Sequence, residues 1–131
     1  MRREMYYNEL TELIIGCAYT VGRELGVGFL EKVYENALAH ELVKVGLRVK
    51  QQEPIQIFYD RVLVGEYVPD FIINDEIIVE LKAVKNIDSA HVAQCLNYLK
   101  ATQKQICLLI NFGSQRVQVK RLAGSAYKLY E

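Results

Sequence analysis

The stretch from residue 66 to residue 83 constrains the fold of this chain more than any other. It contains two apolar runs, residues 71–73 and residues 77–79, separated by a polar turn of Asn74-Asp75-Glu76. Apolar runs that are rich in β-branched side chains and bounded by turn residues are typical of strands buried on both faces of a sheet. The spacing therefore predicts a hairpin of two buried strands at the centre of the fold.

Charged residues stand where these buried strands begin and end. Asp70 directly precedes the first strand, and Glu80 and Lys82 extend the second. Alternate side chains of a strand share a face, so we expect Glu80 and Lys82 to lie roughly 6–7 Å apart, with Leu81 on the other face. Antiparallel pairing would bring Asp70 nearly opposite Glu80. Two carboxylates and an ammonium group then converge, which suits a hard divalent cation beside a polarised water.

Pro69-Asp70 followed by Glu80-Leu81-Lys82 resembles the Pro-Asp…(Asp/Glu)-x-Lys signature of the restriction-endonuclease-like nuclease superfamily. Glu80-Leu81-Lys82 is the only Asp/Glu-x-Lys triplet in the chain. The resemblance implies a central mixed sheet of four to five strands flanked by helices. It also implies hydrolysis of phosphodiester bonds in DNA or RNA with the help of a divalent metal.

Length and composition are those of an ordinary globular protein. The chain has 131 residues, 51% hydrophobic and 24% charged, and we expect one domain over residues 1–131. Lys and Arg together number 16, as do Asp and Glu, so no overall positive field attracts nucleic acid. Any binding of nucleic acid must then depend on a local patch or on a metal, and we expect it to be weak unaided.

The cysteines and the N-terminus indicate a cytoplasmic protein. Cys17, Cys95 and Cys107 form no C-x-x-C pair and lie in apolar stretches, so we expect buried free thiols. The N-terminus lacks the apolar core of a signal peptide, and no apolar segment approaches the length of a membrane span. We therefore expect no association with a membrane.

Hydrophobic periodicity predicts an α/β protein with the element order α-α-β-β-β-α-β-β. The first expected helix is capped by Asn8 or Thr11 and ends near Gly26, and the second covers about 30–45. Strands follow over 47–51 and 55–59 and from 62 into the central stretch. The third helix is capped by Asp88 or Ser89 and ends near Thr102, and the last strands cover 106–112 and 116–121. The strands before and after the third helix should be parallel, because a crossover helix joins them. The order matches the superfamily core, with residues 1–26 as an additional helix and residues 123–131 as a short tail.

The third helix carries a second group of polar residues. Gln94 and Tyr98 are four residues apart and therefore share a helix face, with His91 on the same flank. We expect Val92, Cys95, Leu96 and Leu99 to face the sheet. Gln94 is then able to orient a water or the scissile phosphate, with Tyr98 supporting it; the alternative is a solvated face with a tyrosine at the core margin. The Gln-x-x-x-Tyr spacing resembles a motif of recombination-type helicase-nucleases and related exonucleases.

Further motifs resemble a more specific family, the small bacterial and archaeal GxxExxY proteins. They are Gly28-x-x-Glu31-x-x-Tyr34, then Glu35-x-Ala37-Leu38, Glu80-Leu81-Lys82-Ala83, and the runs at residues 93–102 and 109–113. The likeness covers roughly residues 10–122. It implies the nuclease-like fold with its acidic site intact and names no substrate.

The leading hypothesis assigns Asp70 and Glu80 as ligands of Mg²⁺ or Mn²⁺, with the backbone carbonyl of Leu81 as a further oxygen ligand. Lys82 would lower the pKa of the attacking water or stabilise the charge that develops on the phosphate.

The second helix offers two acids, Glu31 and Glu35, to complete the metal shell. Glu31 is the first choice, although it is equally explained as a first-turn acid favoured by the helix dipole. Glu35 is the second choice and is more simply a solvated residue on the helix flank.

Other functions remain open. The chain is alternatively a non-catalytic or partner-dependent interaction module that binds a partner protein or forms a homodimer, or it acts on a nucleotide or small phosphoester. The tyrosines near the chain ends would serve an interface or pack the terminal segments; they are Tyr6, Tyr7, Tyr127 and Tyr130. Basic residues follow the third helix and are expected to form an ordinary solvated surface; they are Lys100, Lys104, Arg116, Lys120, Arg121 and Lys128.

Overall fold

The computed structural model describes the backbone of residues 2–124 and the side chains of residues 5–124. Its elements are α1 (Arg2–Leu25), α2 (Glu31–Lys44), β1 (Val49–Gln51), β2 (Ile55–Tyr59), β3 (Val62–Tyr67), β4 (Phe71–Ile73), β5 (Ile77–Lys82), α3 (Ser89–Thr102), β6 (Ile106–Asn111) and β7 (Gln118–Ala123). Five strands form one mixed sheet in the order β1-β4-β5-β6-β7. Helices pack on both of its faces, which confirms the predicted fold class.

The centre of the sheet follows the sequence prediction closely. β4 and β5 pair antiparallel through the turn at Asn74 and Asp75, both of which adopt positive φ. Asn and Asp tolerate this left-handed conformation better than most residues, which explains the tight turn. β5 and β6 pair in parallel, and α3 connects them, as predicted.

Successive side chains of β5 point alternately into two hydrophobic cores, one on each face of the sheet. Val79 and Leu81 face α1 and α2, whereas Ile78 faces α3. Because Glu80 is two residues after Ile78, it lies on the α3 side of the sheet. The first core also contains Ile14, Leu38, Leu42, Phe71, Leu108 and Ile110, and the second contains Cys95, Tyr98, Leu99, Cys107 and Leu109.

The hairpin of β2 and β3 forms a separate two-stranded sheet. β3 ends at Tyr67, inside the central stretch as predicted, but the hairpin does not join the central sheet. β4 pairs with β1 instead, with Val49 opposite Ile73, so the edge of β4 is already occupied. Pro69 lies between β3 and β4 and has no N–H to donate, which further interrupts the ladder.

Helix ends and helix faces show smaller differences. α1 begins at Arg2, so Asn8 and Thr11 lie inside the helix and do not cap it; the Thr11 hydroxyl instead donates to the Asn8 carbonyl at 3.1 Å. Asp88 caps α3, as predicted, and accepts hydrogen bonds from the N–H groups of residues 90 and 91. Leu96 is 46% exposed and does not face the sheet as expected, because Tyr98 occupies that buried side of α3.

The three cysteines are buried and free, as predicted. Across residues 2–124, no helix combines the length and apolarity that crossing a bilayer would require. The predicted tail begins inside β7, which continues to Ala123, and residues 125–131 lie outside the described part of the chain. The single-domain assignment over residues 1–131 stays a prediction.

Gly113 follows β6 where the chain passes close to the segment after β5. A Cβ at this position would collide with the backbone of Val84 and lie 2.6 Å from the carbonyl carbon of Ala83. We expect Gly113→Ala to lower the free energy of unfolding by roughly 2–3 kcal/mol in urea titrations, because backbone cannot easily move aside. The control is Gly16→Ala in α1, where a Cβ meets no atom within 4 Å, and we expect it to stabilise by about 0.5–1 kcal/mol. Equal unfolding midpoints for the two variants would contradict this account.

Candidate active site

Strand pairing brings Asp70 and Glu80 together at the end of the β4–β5 hairpin. Phe71 lies opposite Val79, so the residues next to them, Asp70 and Glu80, face each other. The Asp70 N–H donates to Glu80 Oε1 at 3.0 Å, and the Leu81 N–H donates to Asp70 Oδ2 at 2.7 Å. Each carboxylate is therefore oriented by a backbone amide of the opposite strand.

Both carboxylates are buried, and no ion pair among the described side chains includes either of them. Burial raises the pKa of Asp70, although the hydrogen bond from the Leu81 N–H lowers it in part. Burial, followed by the charge of Asp70, raises the pKa of Glu80 to about 8. The pair is therefore costly to ionise fully unless a cation lies beside it.

Lys82 lies on the same face of β5 as Glu80 and is half-buried. Its positive charge lowers the pKa of Glu80, although burial and Asp70 outweigh this effect. The backbone around Lys82 is held by β6: its carbonyl accepts from the Phe112 N–H at 2.8 Å. Opposite Lys82, the fully buried amide of Asn111 bonds both the N–H and the carbonyl of Val84, at 3.0 and 2.8 Å.

α3 adds two polar side chains beside the carboxylates. The Tyr98 hydroxyl donates to Glu80 Oε2 at 3.4 Å and accepts from the Gln94 amide at 3.0 Å. Burial, followed by the charges of Glu80 and Asp70, raises the pKa of Tyr98, so this hydroxyl remains a donor. His91 does not join this group through a hydrogen bond of its own; its Nδ1 accepts from the Asp88 N–H at 3.2 Å and completes the cap of α3.

Glu35 differs from its sequence prediction. It is only 2% exposed and is not a solvated flank residue. Its carboxylate accepts from Lys32 at 3.0 Å and from the amides of Gln51 and Gln52, the latter at 3.0 Å. Burial raises the pKa of Glu35, but these hydrogen bonds together outweigh it, and the net pKa is lowered. Glu35 is therefore a buried anion with its own set of donors.

Gln52 links this anion to the central pair. Its amide nitrogen donates both to Glu35 Oε1 and, at 2.9 Å, to Asp70 Oδ1. Its backbone N–H also donates to the Asp70 carbonyl at 3.0 Å, and its φ of 56° is left-handed. The sequence did not predict a role for Gln52 at this site. The available signal was a pair of adjacent glutamines at the end of a strand. A role for Asn111, the one polar residue in an otherwise apolar strand, was not predicted either.

Glu31 is exposed at the first turn of α2 and lies within electrostatic reach of the same site. Partial burial and the charge of Asp70 raise its pKa, whereas Lys82 lowers it. The two acids of α2 are therefore in different environments. Glu35 is enclosed by donors, whereas Glu31 is exposed and interacts electrostatically with Asp70 and Lys82.

The oxygen donors at this site fit a hydrated divalent cation. Within the part of the chain that the structure describes, no three or more His, Cys, Asp or Glu side chains are grouped so as to hold a metal ion. The oxygen atoms that are gathered here belong to the two buried carboxylates of Asp70 and Glu80. Such oxygen ligands suit Mg²⁺ or Mn²⁺, and Mg²⁺ retains several waters where protein ligands are few. A cation would also offset the cost of ionising both carboxylates, which the raised pKa values reveal.

The chain ends and the basic residues form no site of their own among residues 5–124. Tyr6 is exposed, but Tyr7 is buried and donates to Glu76 Oε2 at 2.9 Å, so Tyr7 packs the terminal helix, which is the second of its two predicted roles. Tyr127, Tyr130 and Lys128 lie outside the described residues. Lys104 donates to the Asp75 carbonyl, and Arg121 donates to Asn8, each at 2.7 Å.

A profile of the PD-(D/E)XK nuclease superfamily matches residues 8–122, which is most of the chain. The chain belongs to this superfamily, and its mixed sheet with flanking helices is the restriction-endonuclease-like fold. The finer resemblance to GxxExxY proteins has no support from this match. No curated protein matches the sequence.

Solved structures share the fold at low sequence identity. An alkaline exonuclease from Laribacter hongkongensis matches with a TM-score of 0.53 and 13% identity over 76% of this chain. The protein SSO0001 matches with a TM-score of 0.57 and 19% identity over 94% of this chain. The chain spans 58% and 62% of the lengths of these two proteins, respectively.

The raised pKa of Glu80 predicts how stability depends on pH when EDTA is present. Because the pKa of Glu80 is about 8 in the folded state and ordinarily 4.5, the folded protein binds the proton more tightly. We expect the free energy of unfolding to fall as pH rises through this window, by on the order of 1 kcal/mol or more. Glu80→Gln carries no charge to bury and should show a flatter profile in urea titrations between pH 5 and pH 9. Parallel profiles for the two proteins would refute the assignment.

Proposed function

We propose that this protein is a divalent-metal-dependent nuclease that hydrolyses phosphodiester bonds of DNA or RNA. The observation that carries the proposal is the buried Asp70–Glu80 pair with Lys82 on the same face, in a chain that belongs to a nuclease superfamily. The name of one structural neighbour, an alkaline exonuclease, agrees with it. The proposal includes one domain over residues 1–131, membership of the GxxExxY group and a cytoplasmic location.

The proposed metal ligands are Asp70, Glu80 and the carbonyl oxygen of Leu81. Backbone amides already orient both carboxylates, so little rearrangement is needed for the remaining lone pairs of their oxygens to bind a cation. Bound Mg²⁺ or Mn²⁺ would lower the pKa of a water and neutralise charge on the phosphate. Gln52 holds Asp70 Oδ1 from the side of α2 and would keep this carboxylate from rotating away.

The proposed catalytic side chains are Lys82, Gln94 and Tyr98, with Glu31 at the rim. Lys82 would stabilise the negative charge that develops on the phosphate, or help to deprotonate the attacking water. The Gln94 amide donates to the Tyr98 hydroxyl, which fixes its orientation, so its oxygen is directed elsewhere and would position the water or the phosphate. Tyr98 would support the site by its contact with Glu80.

Glu31 is the better candidate for completing the metal shell. The oxygens of Glu35 already accept from Lys32, Gln51 and Gln52, whereas Glu31 is exposed and its pKa responds to the charges of Asp70 and Lys82. Glu35 would then act indirectly, through the amide of Gln52 that joins it to Asp70.

The second candidate function is a partner-dependent or non-catalytic interaction module. It is favoured by the outer surface of α1 and α2, where the exposed side chains of Leu13 and Val45 line a groove of about 640 Å³. A partner protein or a second copy of the chain would cover this surface. The equal numbers of acidic and basic residues also agree with an enzyme that a partner directs to nucleic acid, or with a smaller phosphoester substrate.

Variants that each remove one charge test the nuclease directly. We expect Asp70→Asn, Glu80→Gln and Lys82→Ala each to reduce Mg²⁺- or Mn²⁺-dependent cleavage by at least about 100-fold, because each removes a charge from the reacting centre. The assay uses labelled single- and double-stranded DNA and RNA, and EDTA should abolish cleavage. Asp75→Asn and Lys85→Ala alter exposed charges outside the site and serve as matched controls. Full activity of Asp70→Asn would exclude this assignment, and mononucleotide competition would identify a small-substrate enzyme.

Glu31→Gln and Glu35→Gln separate the two acids of α2. We expect Glu31→Gln to weaken Mn²⁺ binding in calorimetry and to slow cleavage while the melting temperature stays unchanged. We expect Glu35→Gln to lower the free energy of unfolding by about 1–3 kcal/mol, because its buried donors lose an anionic partner. If Glu31→Gln binds Mn²⁺ as tightly as wild type, and Glu35→Gln is fully stable but loses Mn²⁺ affinity, then Glu35 and not Glu31 completes the metal shell.

A further inference from the structure

A groove separates α3 from the β2–β3 hairpin and leads away from the carboxylate pair. It consists of two adjoining depressions of about 300 Å³ and about 550 Å³, both lined by Tyr67 and Asn97. Gln94 and Tyr98 line the smaller depression, and the Tyr98 hydroxyl contacts Glu80. The hairpin groove therefore adjoins the proposed active site, with the buried side chain of Tyr98 between the groove and Glu80.

Aromatic rings mark the course of the hairpin groove. The ring of Tyr67 meets the ring of Tyr98 edge-on, with centroids 5.6 Å apart and planes at 70°. Tyr67 is 40% exposed, and Phe58, which lines the larger depression, is 58% exposed. Because Tyr98 is buried, it serves as a support, and the two rings beyond it present free surface. Exposed aromatic rings beside a polar site are suited to stacking on flat ligands.

The rest of the lining suits a chain of nucleotides. Ala90, Ala93 and Ala101 leave room on the α3 side of the groove for flat groups. Asn97 offers an amide that can bond base edges, and Lys100 supplies a positive charge for a phosphate. These are the two components, a cation for the backbone and aromatic rings for the bases, that single-strand binding combines.

The charge of the whole protein favours a single strand over a duplex. Duplex binding depends mainly on many contacts between basic residues and phosphates. This chain has a formal net charge of zero, and Lys104 and Arg121 donate to neighbouring groups of the protein itself. Stacking on unpaired bases supplies affinity without a large positive field, and bases inside a duplex cannot reach Tyr67 or Phe58 in this way.

We propose that the hairpin groove binds a single-stranded segment of nucleic acid, with its bases stacked on Tyr67 and Phe58 and its backbone directed to the Asp70–Glu80 pair. The inference rests on the proposed nuclease function and names its substrate class. It also gives the hairpin a role, since two strands that are separate from the main sheet and expose apolar side chains on both sides of their Asp60-Arg61 turn are otherwise unexplained.

Tryptophan fluorescence provides a direct test of stacking, because the chain contains no tryptophan. In Phe58→Trp the new indole would be the only one in the protein, and we expect a dT₁₂ oligonucleotide in EDTA to quench its emission. The control is Tyr19→Trp on α1, at a position that is 50% exposed and on the other side of the sheet. No quenching of Phe58→Trp, or equal quenching of both variants, would overturn the proposal.

Affinity measurements test the second ring. In EDTA, we expect Tyr67→Leu to weaken binding of labelled dT₁₂ by about fivefold or more in fluorescence anisotropy, and Tyr67→Phe to retain binding. Wild type should bind a duplex of the same length more weakly than dT₁₂. Unchanged affinity in Tyr67→Leu, or a preference for the duplex, would overturn the proposal.

The same variants distinguish this inference from the proposed function and from a protein-binding hairpin. With Mg²⁺, Tyr67→Leu should raise KM on a single-stranded substrate while kcat stays near that of wild type. Strand binding in EDTA without cleavage under any metal would leave the groove supported and exclude the nuclease. If Phe58→Ala leaves dT₁₂ binding intact but converts a dimer to a monomer in sedimentation velocity, the hairpin is an interface between copies and the proposal is wrong.

Discussion

The reciprocal hydrogen bonds between β4 and β5 determine the arrangement of the whole site. The N–H of Asp70 orients Glu80, and the N–H of Leu81 orients Asp70, so the two carboxylates are held by the same strand pairing that builds the centre of the sheet. Burial makes this pair expensive to ionise, and the raised pKa of each carboxyl is the direct expression of that cost. Among the side chains that the structure describes, neither of the two buried acids is paired with a basic one. A cation bound between them would explain why the protein keeps this costly arrangement.

Polar side chains hold the two carboxylates from two sides. On the α2 side, Gln52 joins Asp70 to the buried anion Glu35, and on the α3 side, Tyr98 joins Glu80 to Gln94. These contacts restrict both carboxylates without neutralising them, because amides and a hydroxyl donate hydrogen bonds but carry no charge. The two side chains are therefore already oriented, and a hydrated divalent cation that displaces the proton of Glu80 would bind with little rearrangement.

The exposed hairpin and the neutral surface are explained together by the substrate that we infer. A protein without excess positive charge gains little from the phosphates of a duplex, and its affinity for nucleic acid has to come from contacts with bases. Tyr67 and Phe58 would provide such contacts in the hairpin groove, on two strands that are separate from the main sheet. The hairpin stands apart because β1 pairs with β4 and takes the edge that β3 would otherwise use.

The sequence alone determined the parts of this protein that depend on local pattern. Apolar runs, turn residues and the order of helices and strands predicted β4, β5, α3 and the parallel β6, and the strand period predicted that Asp70 meets Glu80.

Tertiary structure decided the rest. Glu35 is buried because α2 packs against the end of β1, where Gln51 and Gln52 supply donors from a distant part of the chain. Tyr7 is likewise buried by a contact with Glu76. Hydrophobic periodicity indicates which face of an element is apolar, but it does not indicate which residues pack against that face. Polar networks between elements are therefore visible only in the folded chain.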